Sequence, residues 1–289
     1  MDHPRIFNEK SAFSLIVYKI ASRVSANLLA IFFSSFVLIP FVWVIFTAVK
    51  SPKEVSHNPL GVPVEWQWSN FSEAWKVGHF DRYLMNSIIV LIPTLLLILV
   101  FSTLAAFAFS QLQFRGKNIL FATMLIGLTV PLDILIIPLF YDLLDMKLLN
   151  TYWSLILPQA AASMPFGILL LRSFMEDIPK EILDSAQMDG CSSLGLLYYI
   201  ITPLSTPVLA ALLIFSFMWT WNQFLLPIVF IQDDGLRTLP VGFNFFQGKY
   251  VSNIPLTMAG AVISFMPVIV IYAIFQRQFI RGITAGALK

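Results

Sequence analysis

The chain has 289 residues, of which 58% are hydrophobic and only 12% charged, and its mean hydropathy is +0.80. Soluble domains carry about 25% charged residues, so a water-soluble fold of this length lacks the polar surface to cover its apolar side chains. The net charge of +2 gives no basis for nucleic-acid binding, and the single cysteine, Cys191, excludes an intrachain disulfide and a multi-cysteine metal site.

A bilayer span takes roughly 20 mostly apolar residues. Uncharged or nearly uncharged runs predict six helices over 27–49, 86–110, 118–138, 152–174, 205–231 and 257–276. The expected fold is therefore an all-α integral membrane protein, with residues 1–26 as a cytoplasmic N-terminal segment and residues 27–289 as one transmembrane domain. Residues 12–22 have the composition of a short interfacial helix. The longest loop, from Lys50 to Arg82, carries Pro52, Pro59, Pro63, Trp66, Trp68 and Trp75. Prolines favour turns and tryptophans favour the membrane–water boundary, so this loop is expected to lie along the outer surface. Asp133 is the one carboxylate well inside an apolar run, beside Pro131. It either lines a polar path or meets water at the end of the third span. Prolines recur inside the spans, at Pro40, Pro93, Pro165, Pro227 and Pro267 as well; kinked helices suit a path that opens and closes, and an equal alternative is that proline is simply commoner in membrane helices.

Lys and Arg are denser on the side that holds both termini, with eleven residues there against seven on the other. The positive-inside rule then puts both termini in the cytoplasm, together with the Arg115–Lys117 turn and a loop over about 176–203. That loop is polar where its flanks are not. Pro179 suits a first helical turn, and Glu181 adds favourable charge near the helix N-terminus. Ile182, Leu183 and Ala186 make a small apolar face, with Lys180, Asp184 and Gln187 on another. Gly190 suits a left-handed helix end, Ser192 or Ser193 suits the cap of a second helix, and Pro203 marks a break before the fifth span. A helix–turn–helix of this kind at a membrane surface fits docking to another protein.

The fifth span carries Asn222 and Gln223 between Trp219, Trp221 and Phe224. Aromatic faces with amide hydrogen bonds suit a sugar, and interhelical hydrogen bonding is an equal alternative. Asn222, Gln223, Trp221 and Asp133 are the candidates for a substrate path. No catalytic residue is assigned. The sequence has no G-x-x-x-x-G-K-[ST] phosphate loop, no H-E-x-x-H, no G-x-S-x-G and no Cys/His metal pattern. The three histidines lie in the N-terminal segment or the long loop.

The 176–203 loop resembles the cytoplasmic loop of binding-protein-dependent ABC importer permeases, roughly E-A-A-x-x-D-G followed at a distance by I-x-L-P. Asp184-Ser185-Ala186 stands at the triplet, Asp189-Gly190 at the D-G pair and Ile200-Ile201-Thr202-Pro203 at the end. Four further strings are similar to the carbohydrate, maltose-type branch, in particular its shorter six-span subunit. They are Arg82-Tyr83-Leu84-Met85-Asn86-Ser87; Ala105-Ala106-Phe107-Ala108-Phe109 with Phe114-Arg115-Gly116; Trp221-Asn222-Gln223-Phe224-Leu225-Leu226-Pro227; and the Arg281–Lys289 tail. The resemblance implies a sugar or oligosaccharide importer subunit in a bacterial or archaeal inner membrane. It implies a second permease subunit, an ATP-binding subunit dimer and an extracytoplasmic solute-binding protein as partners, besides membrane lipid. It implies no cofactor in this chain, since ATP and Mg would be bound by the partner ATPase. The coupling contact would fall on Asp184, Ala186 and Gly190, with Glu181, Ser185 and Asp189 beside them. The alternatives are a stand-alone secondary transporter, which usually carries several intramembrane ionisable residues or related halves, and an ABC permease for a non-sugar solute.

Overall fold

The computed structural model describes residues 9–242 and 253–287, with side chains over 24–242 and 253–276. Residues 1–8, Lys249 and the last two residues of the tail motif lie outside the described residues, as do the side chains of Arg277 and Arg281. Every regular element among the described residues is helical, with no strand.

Helix α1 (Glu9–Ala48) is continuous, so residues 12–22 form its first turns rather than a separate surface helix. Two short helices follow in the long loop, α2 (Pro52–His57) and α3 (Ser69–Val77). Helix α4 (Phe80–Gln111) is the second span. The third predicted span is not one helix. It divides into α5 (Lys117–Ile126), a 3₁₀ turn over Leu132–Leu135 and α6 (Ile136–Asp145). Hydropathy counts apolar residues, whereas the break comes from backbone geometry. Gly127 ends α5, and Pro131 is extended with φ −65° and ψ 135°. Helix α7 (Trp153–Glu176) is the fourth span, followed by α8 (Lys180–Met188). The next helix is α9 (Ser193–Gly195), which runs through a π-helical stretch (Leu196–Ile201) into α10 (Thr202–Leu204). It then turns by 77° at Ser205 into α11 (Thr206–Trp221). The fifth span breaks once more before α12 (Leu225–Phe230), and α13 (Leu239–Gly242) precedes the long last helix α14 (Ile254–Ala287). Among the described residues four helices are long and apolar enough to cross a membrane, and a fifth span results if the bent α9–α11 pair is counted as one.

The span Val24–Ala48 buries little against its own chain. It joins the rest only near its end, where Phe41 meets Phe265 of α14 edge to face at 5.8 Å. The long loop caps that end. Asn70 Nδ2 donates to the carbonyls of Ala48 and Lys50 at 2.8 and 2.9 Å, taking two acceptors that the helix leaves open. Lys50 is fully buried, and its ammonium donates to the carbonyls of Asn58 and Gly61, both at 2.7 Å. Trp66 stacks on Trp68 and Trp68 on Phe71.

The centre is the α4–α7 pair, with α11 across it. Ile98, Ala106, Leu171 and Leu212 are buried there. Membrane helices gain nothing from hiding apolar groups from lipid, so close backbone approach through small residues carries the packing. Gly167 of α7 lies against Ser102 of α4, and a Cβ built on it would stand 2.5 Å from Ser102 Oγ and 3.1 Å from Leu212 Cδ1.

The second motif string ties α4 to the segment before α13. Asn86 Nδ2 donates to the carbonyls of Gly235 and Arg237, both at 2.8 Å, and Ser87 Oγ accepts from the Leu239 amide at 2.8 Å. The Tyr152 hydroxyl donates to Asn86 Oδ1 at 2.8 Å. Burial, and second the charge of Asp233, push this phenol above its usual pKa.

Two outcomes follow from this packing. Gly167→Ala overpacks the α4–α7 contact and destabilises by about 1–3 kcal/mol, lowering the melting temperature in detergent by several degrees. An unchanged melting temperature would contradict the close approach. Asn86→Leu strands two carbonyls and the Tyr152 hydroxyl, at about 1–3 kcal/mol. Hydrogen exchange of amides 234–239 then accelerates, and less so in Tyr152→Phe, which loses one bond.

Candidate functional site

The polar loop folds as a helical hairpin on the α7 end. Its base is held by three contacts. Gln111 Nε2 at the end of α4 donates to the Met175 carbonyl at 2.8 Å. Arg172 bonds Glu176 at 2.8 Å, and its guanidinium lies over the Phe121 ring at 3.7 Å. Pro179 stands at the N-cap of α8, one residue before the position expected. Leu183 is buried and Ala186 half-buried against the cluster of Met175, Ile178, Leu196 and Leu197, whereas Ile182 faces out. The expected apolar face is thus two residues wide.

The turn closes α8 with both bonds of a Schellman motif. The Cys191 amide donates to the Ala186 carbonyl and the Gly190 amide to the Gln187 carbonyl, each at 3.0 Å. Gly190 has φ +85°, a conformation that costs an L side chain, and a Cβ there would meet nothing within 4 Å. Ser192 caps the second helix by accepting from the Gly195 amide at 3.2 Å. Glu181, Asp184, Ser185 and Asp189 are all exposed, and Ser185 Oγ donates to the Glu181 carbonyl at 2.7 Å. Around them Met188 is 88% exposed, Leu194 71%, and Tyr198 and Tyr199 70% each. The hairpin therefore presents an apolar rim with carboxylates beside it, on a base fixed to two spans.

The second site is a cavity of about 180 Å³ lined by Leu132, Gln159, Ala162, Ser163, Trp219, Thr220 and Gln223. Leu132 comes from the break in the third span, Gln159 and Ser163 from α7, and Trp219 and Thr220 from the last turn of α11. Of the four residues expected on a substrate path, Gln223 lines this cavity. Trp221 is buried and donates its indole N–H to the Ser264 carbonyl of α14 at 3.1 Å. Asn222 is exposed and donates to the Met218 carbonyl at 2.8 Å, closing α11. Asp133 is exposed. Gln223 Oε1 accepts from the Leu225 amide at 3.1 Å and so starts α12. Successive helical residues point about 100° apart, so Trp219 and Thr220 face this cavity, and Trp221 lines a smaller neighbouring one together with Thr220 and Gln223. Gln159 was not singled out from the sequence, although a buried amide in an apolar span is a readable signal. Among the described residues no group of three or more His, Cys, Asp or Glu is placed to hold a metal ion.

Known proteins share this architecture. Residues 98–285 match the model of the family described as "Binding-protein-dependent transport system inner membrane component". The chain is 36% identical over 250 residues to "Probable ABC transporter permease protein YurM" of Bacillus subtilis, covering 86% of this chain and 83% of that one. It is 31% identical over 266 residues to "Diacetylchitobiose uptake system permease protein NgcG" of Streptomyces coelicolor, covering 91% and 88%. A chain of a bacterial ABC transporter involved in the import of the acidic polysaccharide alginate superposes with a TM-score of 0.76 at 23% identity, over 90% of this chain and 97% of that one. With its family match spanning most of the chain and relatives above 30% identity aligned nearly end to end, the chain belongs to the binding-protein-dependent transport system inner membrane components, the permease subunits of ABC importers.

Proposed function

We propose that the chain is the permease subunit of an ATP-driven importer of a sugar or oligosaccharide. The hairpin around Gly190 would dock into an ATP-binding subunit, and both termini would lie in the cytoplasm with it. The observation that carries the coupling is the hairpin itself. A Schellman-closed helix is held rigidly on the ends of α4 and α7, and it turns Met188, Leu194, Tyr198 and Tyr199 outward. Exposed apolar groups rimmed by carboxylates fit a protein partner better than water. Glu181, Asp184, Ser185 and Asp189 supply the polar rim, while Ala186 and Gly190 shape the turn. A rigid base matters because a coupling element transmits force only if it does not itself yield. ATP and Mg belong, in this reading, to the partner ATPase, consistent with a sequence that lacks a phosphate loop.

The sugar assignment draws on the relative named for diacetylchitobiose uptake and on the carbohydrate-branch strings at Asn86, Trp221 and the tail. The complex would comprise a second permease subunit, an ATP-binding subunit dimer and an extracytoplasmic binding protein. The excess of Lys and Arg on the hairpin side supports the orientation.

Gly190 gives the direct test. Gly190→Val forces a β-branched residue to φ +85°, at about 1–2 kcal/mol or more, and reshapes the turn. Uptake is expected to fall to background and co-purification of the ATPase to drop, with membrane insertion unchanged. Gly190→Asn, which tolerates the left-handed conformation and meets no neighbour, should keep most of both. Normal uptake by Gly190→Val would remove the coupling assignment. A second check is the rim: Tyr198→Asp with Tyr199→Asp should weaken ATPase co-purification without changing the melting temperature, since both side chains are largely exposed.

A further inference from the structure

Beside the 180 Å³ cavity is a second of about 10 Å³, lined by Ser87, Gln159, Thr220, Trp221, Gln223 and Thr238 among others. Gln159, Thr220 and Gln223 belong to both. Gln159 is 5% exposed, Thr220 8% and Thr238 6%. The Gln159 amide donates through Nε2 to the Leu155 carbonyl at 2.9 Å, which leaves Oε1 as a bare acceptor. Gln159 Oε1, Thr220 Oγ1 and Thr238 Oγ1 all lack a hydrogen-bond partner. Buried polar atoms are nearly always paired, so three unpaired ones on the walls of two cavities that share residues mark a place built for a ligand group.

The chemistry of that group follows from the atoms. Gln159 Oε1 only accepts, so the ligand must donate. The threonine hydroxyls both donate and accept, so a hydroxyl satisfies all three. No charged side chain lines either cavity, and an anionic group would find no counter-charge there. Trp219, half exposed, forms the aromatic wall, and its ring is fixed edge to face against Phe166 at 5.0 Å. The larger cavity is of the size of a single sugar ring, and the smaller one admits about a single oxygen.

We infer that this chain itself contains a sugar-ring subsite, with Trp219 as the platform and Gln159 and Thr220 binding hydroxyls of an uncharged sugar unit. Thr238 lines the small cavity and is held there by the bonds of Asn86 and Ser87 to the 235–239 segment. The subsite rests on the sugar-importer reading and adds to it the charge class of the substrate and the residues that read it. A bound water offers the same O–H chemistry and is the competing occupant.

The test uses the full complex, with its own partner permease, ATPase and binding protein, in proteoliposomes. The probes are radiolabelled diacetylchitobiose, maltotriose and raffinose, all neutral. Wild type is expected to import at least one of them with ATP. Thr220→Val and Gln159→Leu should each lower the rate for that sugar about fivefold to tenfold, the worth of one buried hydrogen bond. Thr220→Ser should stay within about twofold, as it keeps the hydroxyl. Among mono-deoxy analogues of the imported sugar, one should be carried slowly by wild type and no more slowly by Thr220→Val. Trp219→Leu, on the open wall, should also slow uptake and serves if a buried variant fails to assemble. Import of a neutral sugar by wild type with all three variants at wild-type rate overturns the subsite alone. So does an equal further loss with every deoxy analogue, which is the pattern expected if only a structural water sits there. Import of none of the three probes by wild type, with a charged or non-sugar solute carried in their place, overturns the sugar reading and the subsite with it.

Discussion

A backbone amide or carbonyl inside a bilayer has no water to fall back on, and this constraint governs where the chain is permitted to stop being helical. The breaks in the spans find partners for their backbone groups, either locally or from a neighbouring helix. At the end of α11, Asn222 Nδ2 donates to the Met218 carbonyl and Gln223 Oε1 accepts from the Leu225 amide. At Ser205 the bend keeps its ladder, with the Ser205 amide on the Ile201 carbonyl and the Leu209 amide on the Ser205 carbonyl. Pro203 and Pro207 stand on either side, where their missing N–H groups cost least. Before α13, Asn86 and Ser87 supply from α4 the partners that an irregular segment lacks.

Those breaks are also what positions the two sites. The 77° turn at Ser205 lets the stretch from Ser193 to Leu204 lie across the ends of α4 and α7 instead of continuing the fifth span. The hairpin is then pinned to the same two helices whose close approach at Gly167 forms the centre. At the other end of α11, the break at 222–224 turns Gln223 inward beside Thr220. The break before Pro131 brings Leu132 to the same cavity. One helix, α11, therefore connects the hairpin bend to the cavity wall. A tilt imposed at Ser205 would move Trp219 and Thr220 as part of a rigid rod, and no contiguous relay of side chains is needed to pass motion between the two sites.

Much of this was legible in the sequence, and the reasons for the rest are specific. The hairpin was readable almost residue by residue, because Pro179, Gly190 and Ser192 each act through local backbone chemistry: a fixed φ, a left-handed turn and a hydroxyl cap. The spans over α4, α7 and α14 were readable because their apolar runs are long and unbroken. The third span was misread as continuous because hydropathy is blind to φ and ψ, although Gly127 and Pro131 carried the signal. Of the polar cluster in the fifth span, Gln223 lines the 180 Å³ cavity and Trp221 the small one beside it, whereas Asn222 is exposed. Trp221 is committed to Ser264 of α14 and Asn222 to a helix end, and only tertiary packing decides which of several adjacent residues looks into a cavity. Gln159 contributes from α7, more than sixty residues away from that cluster, so the pairing exists in the fold and not in any local pattern.

The same comparison separates what Asn86 does from what its motif suggests. An Arg-Tyr-Leu-x-Asn-Ser string at the start of a span invites a reading as a substrate or partner contact. Here Asn86 spends both amide hydrogens and its carbonyl oxygen within the chain, on Gly235, Arg237 and Tyr152. With every hydrogen-bonding atom of its side chain committed, it has little left to offer a sugar. Gln159 is the reverse case. It lies in no recognisable string, yet its carbonyl oxygen is buried with nothing to bond. In a membrane interior an amide that is fully satisfied is best read as architecture, and one left half satisfied beside a cavity is best read as waiting for a ligand. That distinction rests on counting bonds, and it assigns the structural role to Asn86 and the binding role to Gln159.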